Sequence, residues 1–236
     1  SGSDLELRVL QRLDPLLHAD NPLKPLISQL LKDPLYRKIY LAHVRQINDD
    51  YFANGAYEAR AKELQAMIVV PFNDDKNKQY SLEDFQGSLT KTIGRRSKIP
   101  GIVELMSRRS RFLSTHPELT ALPSAVSEVS VQSRGKYENQ RVNAFRITAK
   151  ADRFPKKVVI YYRFADNQPY QSMVMSEEAS NNLPSGTKLF LANIDAPSED
   201  AVLDYYLMAE NAGAVAFAPK VYMKAPYKVK LSDLNK

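Results

Sequence analysis

The chain has three imidazoles, His18, His43 and His116. They stand too far apart in sequence to form the i, i+4 pair with which a zincin helix grips its metal. His43 falls between Tyr40 and Ile47 on the apolar side of a helical pattern, where a core or boundary histidine belongs. His18 and His116 fall at or near helix ends, within reach of terminal carbonyls. Two acidic doublets are the other candidates. Asp49-Asp50 sits at a helix end and reads as a solvated or capping pair. Asp74-Asp75-Lys76-Asn77 begins like a calcium loop but lacks the glycine and the distal glutamate, so a plain loop is expected. There is no cysteine, which excludes disulfides, thiolate zinc sites and a cysteine nucleophile while leaving the compartment open. Eight glycines supply neither GxGxxG nor GxxxxGK[ST], and no serine stands in a GxSxG elbow. These residues give no self-contained active site: no catalytic, cofactor-binding or metal-binding residue is assigned.

The remaining chemistry is cationic. Thirty-three Lys and Arg oppose 27 Asp and Glu, for a net charge of +6 and a pI near 9.3. The excess is spread, since residues 1–123 hold 18 basic and 15 acidic groups and residues 124–236 hold 15 and 12. With no basic tail and no recognisable binding motif, a nucleic-acid partner is not expected. The densest knots are Arg95-Arg96 with Lys98, and Arg108-Arg109 with Arg111. A solvated helix face accounts for them; the alternative is an anion or phosphate patch of Arg95, Arg96, Arg108, Arg109 and Arg111. Steps of about 100° per residue bring Arg108 and Arg111 together and turn Arg109 toward Met106. From there its stem can lie along the core and its head can pair with a carboxylate.

The elements that must position these groups differ between the two halves. Asp33-Pro34 is an N-cap followed by an N1 proline, and Tyr36, Ile39, Tyr40, His43, Val44, Ile47 and Tyr51 then recur at helical spacing. A second helix opens at Asn54-Gly55 and is stopped by Pro71. Ser81 and Asp84 form a capping box for a third that carries Phe85, Leu89 and Ile93. A fourth runs from Pro100 to His116-Pro117, and shorter helices cover Leu5 to Leu13 and the residues after Pro25. Beyond Pro123 the period becomes two: Phe145, Ile147, Ala149 and Ala151 alternate with polar residues, as do Val158, Ile160, Tyr162 and Phe164 with Val159, Tyr161 and Arg163. Further strand patterns cover Val126–Val131, Tyr170–Met175, Thr187–Ile194, Leu203–Glu210, Val215–Tyr222 and Tyr227–Val229. The expected architecture is therefore α then β. An all-α half occupies residues 1–123, and an antiparallel immunoglobulin- or fibronectin-like β-sandwich occupies residues 124–236. No stretch is long and apolar enough for a membrane span.

Three segments, Asn21–Ile47 (NPLKPLISQLLKDPLYRKIYLAHVRQI), Asn77–Phe85 (NKQYSLEDF) and Pro100–Leu113 (PGIVELMSRRSRFL), resemble the C-terminal helices of spore-coat-protein-H-like (CotH) kinases. Lys156–Met175 and Asp204–Pro219 are similar to the β-sandwich module that follows the kinase in some members. The resemblance implies a secreted, periplasmic or cell-surface bacterial protein whose parent moves phosphate from ATP to protein hydroxyls. It implies ATP and a divalent metal as cofactors of that parent, held by carboxylates earlier in the fold, and none of its catalytic motifs occurs here. This chain would then be a non-catalytic C-terminal part whose partner is the kinase region before it. The alternative is a freestanding adhesion or glycan-binding module, for which Tyr161, Tyr162, Tyr170, Tyr205, Tyr206 and Tyr222 supply aromatics. Their other expected role is core packing and cross-strand pairing.

Overall fold

A computed structural model describes residues 2–94, 98–134 and 143–235. The chain divides into a helical unit, Ser1–Thr120, and a sheet unit, Ala121–Lys236. Helices come first and antiparallel strands second, as the change of period implies.

In the helical unit, α1 (Gly2–Gln11), α2 (Pro25–Lys32) and α3 (Pro34–Ile47) are followed by a π-helical turn, Asn48–Ala53. Asp33 caps α3 through Oδ1, which accepts the N–H groups of Leu35 (2.8 Å) and Tyr36 (3.1 Å). Helix α4 runs over Ala56–Asp74 and contains Pro71, contrary to the expected stop there. The proline sits in the last turn, so its missing N–H removes one bond near the end, and its own carbonyl still accepts from Asp75. Helix α5 (Leu82–Gly87) starts with the expected Ser81–Asp84 capping box but ends six residues before Ile93. Ile93 instead exchanges two 2.9 Å backbone bonds with Ile99. Arg95 and Arg96 lie between them, outside the described residues. Next comes α6 (Ile102–Ser114), then α7 (Pro117–Thr120). Gly101 fixes the approach of α6: a Cβ there would lie 2.7 Å from the Leu89 carbonyl oxygen. The core of this unit is small. Leu41, Leu113 and Leu119 are buried and Leu16, Val44 and Phe112 pack against them.

The sheet unit is a sandwich. One sheet runs β1 (Val126–Arg134), β2 (Ala144–Ala151), β6 (Lys188–Asp195), β5 (Ser176–Glu178). The other runs β4 (Gln171–Val174), β3 (Lys157–Arg163), β7 (Val202–Glu210), β8 (Val215–Ala218), with β9 (Tyr227–Lys230) also on β7. The chain changes sheets at the buried Met175, whose N–H bonds the Val158 carbonyl (2.9 Å). The inward residues are those the alternation marks. Phe145, Ile147, Ala149 and Ala151 meet Val158, Ile160, Leu203, Tyr205 and Leu207, with Tyr162 and Phe164 packed on them. A register slip between Ser127 and Ser130 breaks the β1–β2 ladder, with Glu128 at φ 48°. Strand β8 ends at Ala218 rather than reaching Tyr222, because Pro219 has no N–H to continue the ladder. The chain then turns, Tyr222 N–H to Pro219 O at 3.0 Å.

Candidate functional site

Each unit gathers one group of side chains with chemistry beyond packing. In the helical unit it lies between α1 and α6. Two bonds hold these helices in register: the buried Gln11 donates to the Glu104 carbonyl (2.9 Å), and Arg109 donates to the carbonyl of Leu13. Gln11 is the last residue of α1 and stands between Arg8 in its last turn and Arg12 just beyond its end, so both arginines lie on the side that meets α6. They line a groove of about 650 Å³ together with Arg108 and Arg111 of α6 and the ring of Phe112. All four arginines are exposed.

The expected patch is thus divided. Arg108 and Arg111 share a groove, as their spacing implies. Arg109 turns away from it, half-buried, with its guanidinium 5.8 Å from the centre of the Phe112 ring. Burial lowers its pKa, against the favourable fields of Tyr40 and Asp14. Its bonded partner is a backbone carbonyl at the end of α1, where a carboxylate was expected. Arg95 and Arg96 are outside the described residues. Arg8 and Arg12 were not singled out from sequence, because they lie about a hundred residues from the knots; their i, i+4 spacing on an amphipathic helix was the available signal.

The other singled-out residues take structural posts. His43 is half-buried, and desolvation lowers its pKa. His18 Nδ1 lies 3.2 Å from Asn21 Nδ2, and His116 Nδ1 accepts the Glu118 N–H (3.3 Å). In the loop that opens like a calcium site, Asp75 Oδ1 accepts from the Asn77 N–H (2.8 Å). The cation there is Lys78, whose ammonium donates to the carbonyls of Asn73 (2.9 Å) and Asp75 (3.1 Å). Among the described residues no three carboxylates or imidazoles are grouped to hold a metal ion. No helix among them is long and apolar enough to cross a membrane.

In the sheet unit the outward face of β3–β7 carries the second group. Cross-strand pairing places Tyr161 beside Tyr206 and Arg163 beside Asp204, with Lys228 of β9 next to Asp204. Asp204 is buried, its side chain 4% exposed. Its Oδ2 accepts from Arg163 Nε (3.0 Å) and Nη2 (2.9 Å), and its Oδ1 accepts from the Tyr170 hydroxyl (2.8 Å). Lys228 bonds the exposed Asp166 (2.9 Å) and thereby lowers the pKa of that carboxyl. The Arg163 guanidinium sits 4.5 Å from the Tyr170 ring centre. Burial and the bond to Asp204 push Tyr170 up to about 12. Beside this network Tyr161 and Tyr206 stack at 4.8 Å and 7°, while the turn after Pro219 lays Tyr222 on Tyr206 (4.3 Å) and Phe217 (4.5 Å). Tyr162 and Tyr205 face the core instead, Tyr205 packed on Tyr227 (5.2 Å).

Residues 17–113, under half of the chain, match the CotH family, described as "CotH kinase protein". Among curated proteins no match is found. Two solved structures are similar to part of the chain. One is the bromine derivative of BhCBM56, 15% identical, covering 46% of this chain and 98% of its own at a TM-score of 0.30. The other is the carbohydrate binding module of the muscle glycogen-targeting subunit of Protein Phosphatase-1. It is 11% identical, covering 43% of this chain and 71% of its own at a TM-score of 0.31.

Proposed function

We propose that this chain is the non-catalytic C-terminal part of a secreted or surface CotH-like protein kinase, its helices buttressing the kinase lobe and its sandwich acting as an accessory module. The observation that carries this reading is α4, which lies wholly within the matched residues 17–113. It is a 19-residue helix with no buried residue, and it presents Leu64, Met67 (68% exposed), Ile68 and Val70 (65% exposed) outward. An apolar face of that length is a surface made to be covered, and in this reading the preceding kinase region covers it. In the sheet unit, the order β1-β2-β6-β5 over β4-β3-β7-β8 supports an immunoglobulin-type module, whose strands run A-B-E-D over C′-C-F-G.

In this reading ATP and its divalent metal belong to the parent kinase, where they supply the phosphoryl donor and the charge that steadies it. The residues described here do not fit that metal, so no step of the reaction is derived through this chain. The test is a phosphotransfer assay with labelled ATP and Mn²⁺. The isolated chain is expected to incorporate no label and hydrolyse no ATP. Incorporation abolished by a point substitution within this chain overturns the proposal.

A second reading, a glycan-binding sandwich, is favoured by the aromatic face of Tyr161, Tyr206, Tyr222 and Phe217 beside the polar row of Arg163, Lys228 and Asp166, which the buried Asp204 anchors. Tyrosine rings offer a pyranose an apolar plane, and the neighbouring polar row can meet its hydroxyls. Affinity electrophoresis through gels containing soluble glucans tests it: retardation lost in Tyr222→Ala supports glycan binding, and unretarded migration in every glucan refutes it.

A further inference from the structure

Arg8, Arg12, Arg108 and Arg111 line one groove, and none of them makes an ion pair or side-chain hydrogen bond with another described residue. Elsewhere this chain pairs cations that are exposed or half-buried: Arg37 with Glu118, Arg60 with Glu63, Lys150 with Glu128, Lys230 with Asp200. One acid, Glu104, borders the adjoining hollow with Arg8 and Arg108, and one of its oxygens accepts from the Thr92 hydroxyl (2.8 Å). Four guanidinium charges therefore face one groove with no ion pair to a described residue. The Gln11 and Arg109 bonds that lock α1 to α6 hold them there against their own repulsion.

We propose that this groove is a binding site for an oligophosphate, a compact molecule carrying three or more phosphate groups. Each guanidinium is a planar fork that meets a phosphate with two parallel N–H···O bonds, and here two forks come from each wall. Arg8 stands in the last turn of α1 and Arg12 just past its end, one turn on, and Arg108 and Arg111 stand one turn apart on α6, so one ligand can be gripped from both sides. The charge is confined to a hollow of about 650 Å³, which suits a compact polyanion. A nucleic-acid strand needs an extended basic track, and the charge here is not arranged in one. The site is independent of the proposed kinase parentage, because it is built within this chain and uses no metal.

Isothermal titration of the whole chain with tripolyphosphate and with inositol hexakisphosphate, in about 150 mM salt to suppress loose ion attraction, tests the site. One saturable site is expected, with affinity falling about ten-fold or more in Arg8→Gln/Arg111→Gln, since two of the four forks are lost. The control Lys24→Gln/Lys224→Gln removes the same charge elsewhere and is expected to change affinity less than about two-fold, the scale of screened surface charge. Circular dichroism confirms that each variant is folded. If the double variant is not, Arg12→Lys keeps the charge, loses the fork, and is still expected to weaken binding several-fold. Preference for the ring-borne or the linear phosphate identifies the source, and either supports the site. No binding at millimolar ligand, equal losses in the control, or tighter binding of heparin or single-stranded DNA overturns it.

Discussion

Replacing Arg109 by alanine separates structural from binding arginines in α6. The side chain does two jobs: its guanidinium donates to the Leu13 carbonyl and sits over the Phe112 ring, and its stem is half-buried. Loss of a charge-assisted bond to a half-buried carbonyl, with the packing of a long aliphatic stem, amounts to about 2 kcal/mol. For a unit of this size that lowers the midpoint of thermal unfolding by about 8 °C. Arg108→Ala and Arg111→Ala touch no partner among the described residues and are expected to stay within about 0.5 kcal/mol, the range of ordinary surface sites. Thermal and urea melts followed at 222 nm report mainly on the helical unit. Arg109→Lys is the diagnostic companion: it retains the charge and most of the stem but not the fork, and is expected to fall between parent and alanine variant. If Arg109→Ala melts with the parent, the bond to Leu13 is not holding α1, and the packing argument fails with it.

Gly101→Ala is expected to destabilise the helical unit beyond an ordinary surface change, because the new methyl meets the Leu89 backbone at 2.7 Å; a melt at the parent's midpoint refutes it. In the sandwich, Asp204→Ala is expected to lower stability far more than Asp166→Ala. The first strips two partners from a buried carboxylate's site, whereas Asp166 is 74% exposed; equal denaturant midpoints contradict this. Tyr170 titrates near 12 in the fold against 10 in the unfolded chain, so its contribution is complete below pH 10 and is lost as pH rises toward 12. Burial also raises Tyr205 and Tyr206, so tyrosinate absorbance at 295 nm is expected to show several late-ionising groups in the parent and one fewer in Tyr170→Phe; an unchanged late amplitude in that variant refutes it.

What the sequence revealed tracks how local each determinant is. The inward set on β2 and β3 was readable residue by residue, because alternation and burial are the same fact on a sandwich strand. The caps at Asp33 and Ser81 were equally plain, since each closes within three residues. The errors concern competition from afar. Pro71 reads locally as the end of α4, though a proline in the last turn costs little. Ile93 keeps the helical spacing of Phe85 and Leu89, yet it bonds Ile99 instead. The groove was half legible: Arg108 and Arg111 announced themselves by spacing, but Arg8 and Arg12 join them only because Gln11 and Arg109 dock α1 on α6. A contact between residues about a hundred positions apart leaves no periodic trace.

The slip in β1 has a consequence for life at high concentration. β1 is an outer strand of its sheet, and a long straight one would offer a row of unpaired amides to any neighbouring molecule. The break between Ser127 and Ser130 bends that row, and Glu128, tied to Lys150 at 2.5 Å, sets a charge on it. The opposite outer strand, β5, is only three residues long, and two of them are glutamates. A sheet with margins like these resists edge-to-edge pairing when many copies are crowded together.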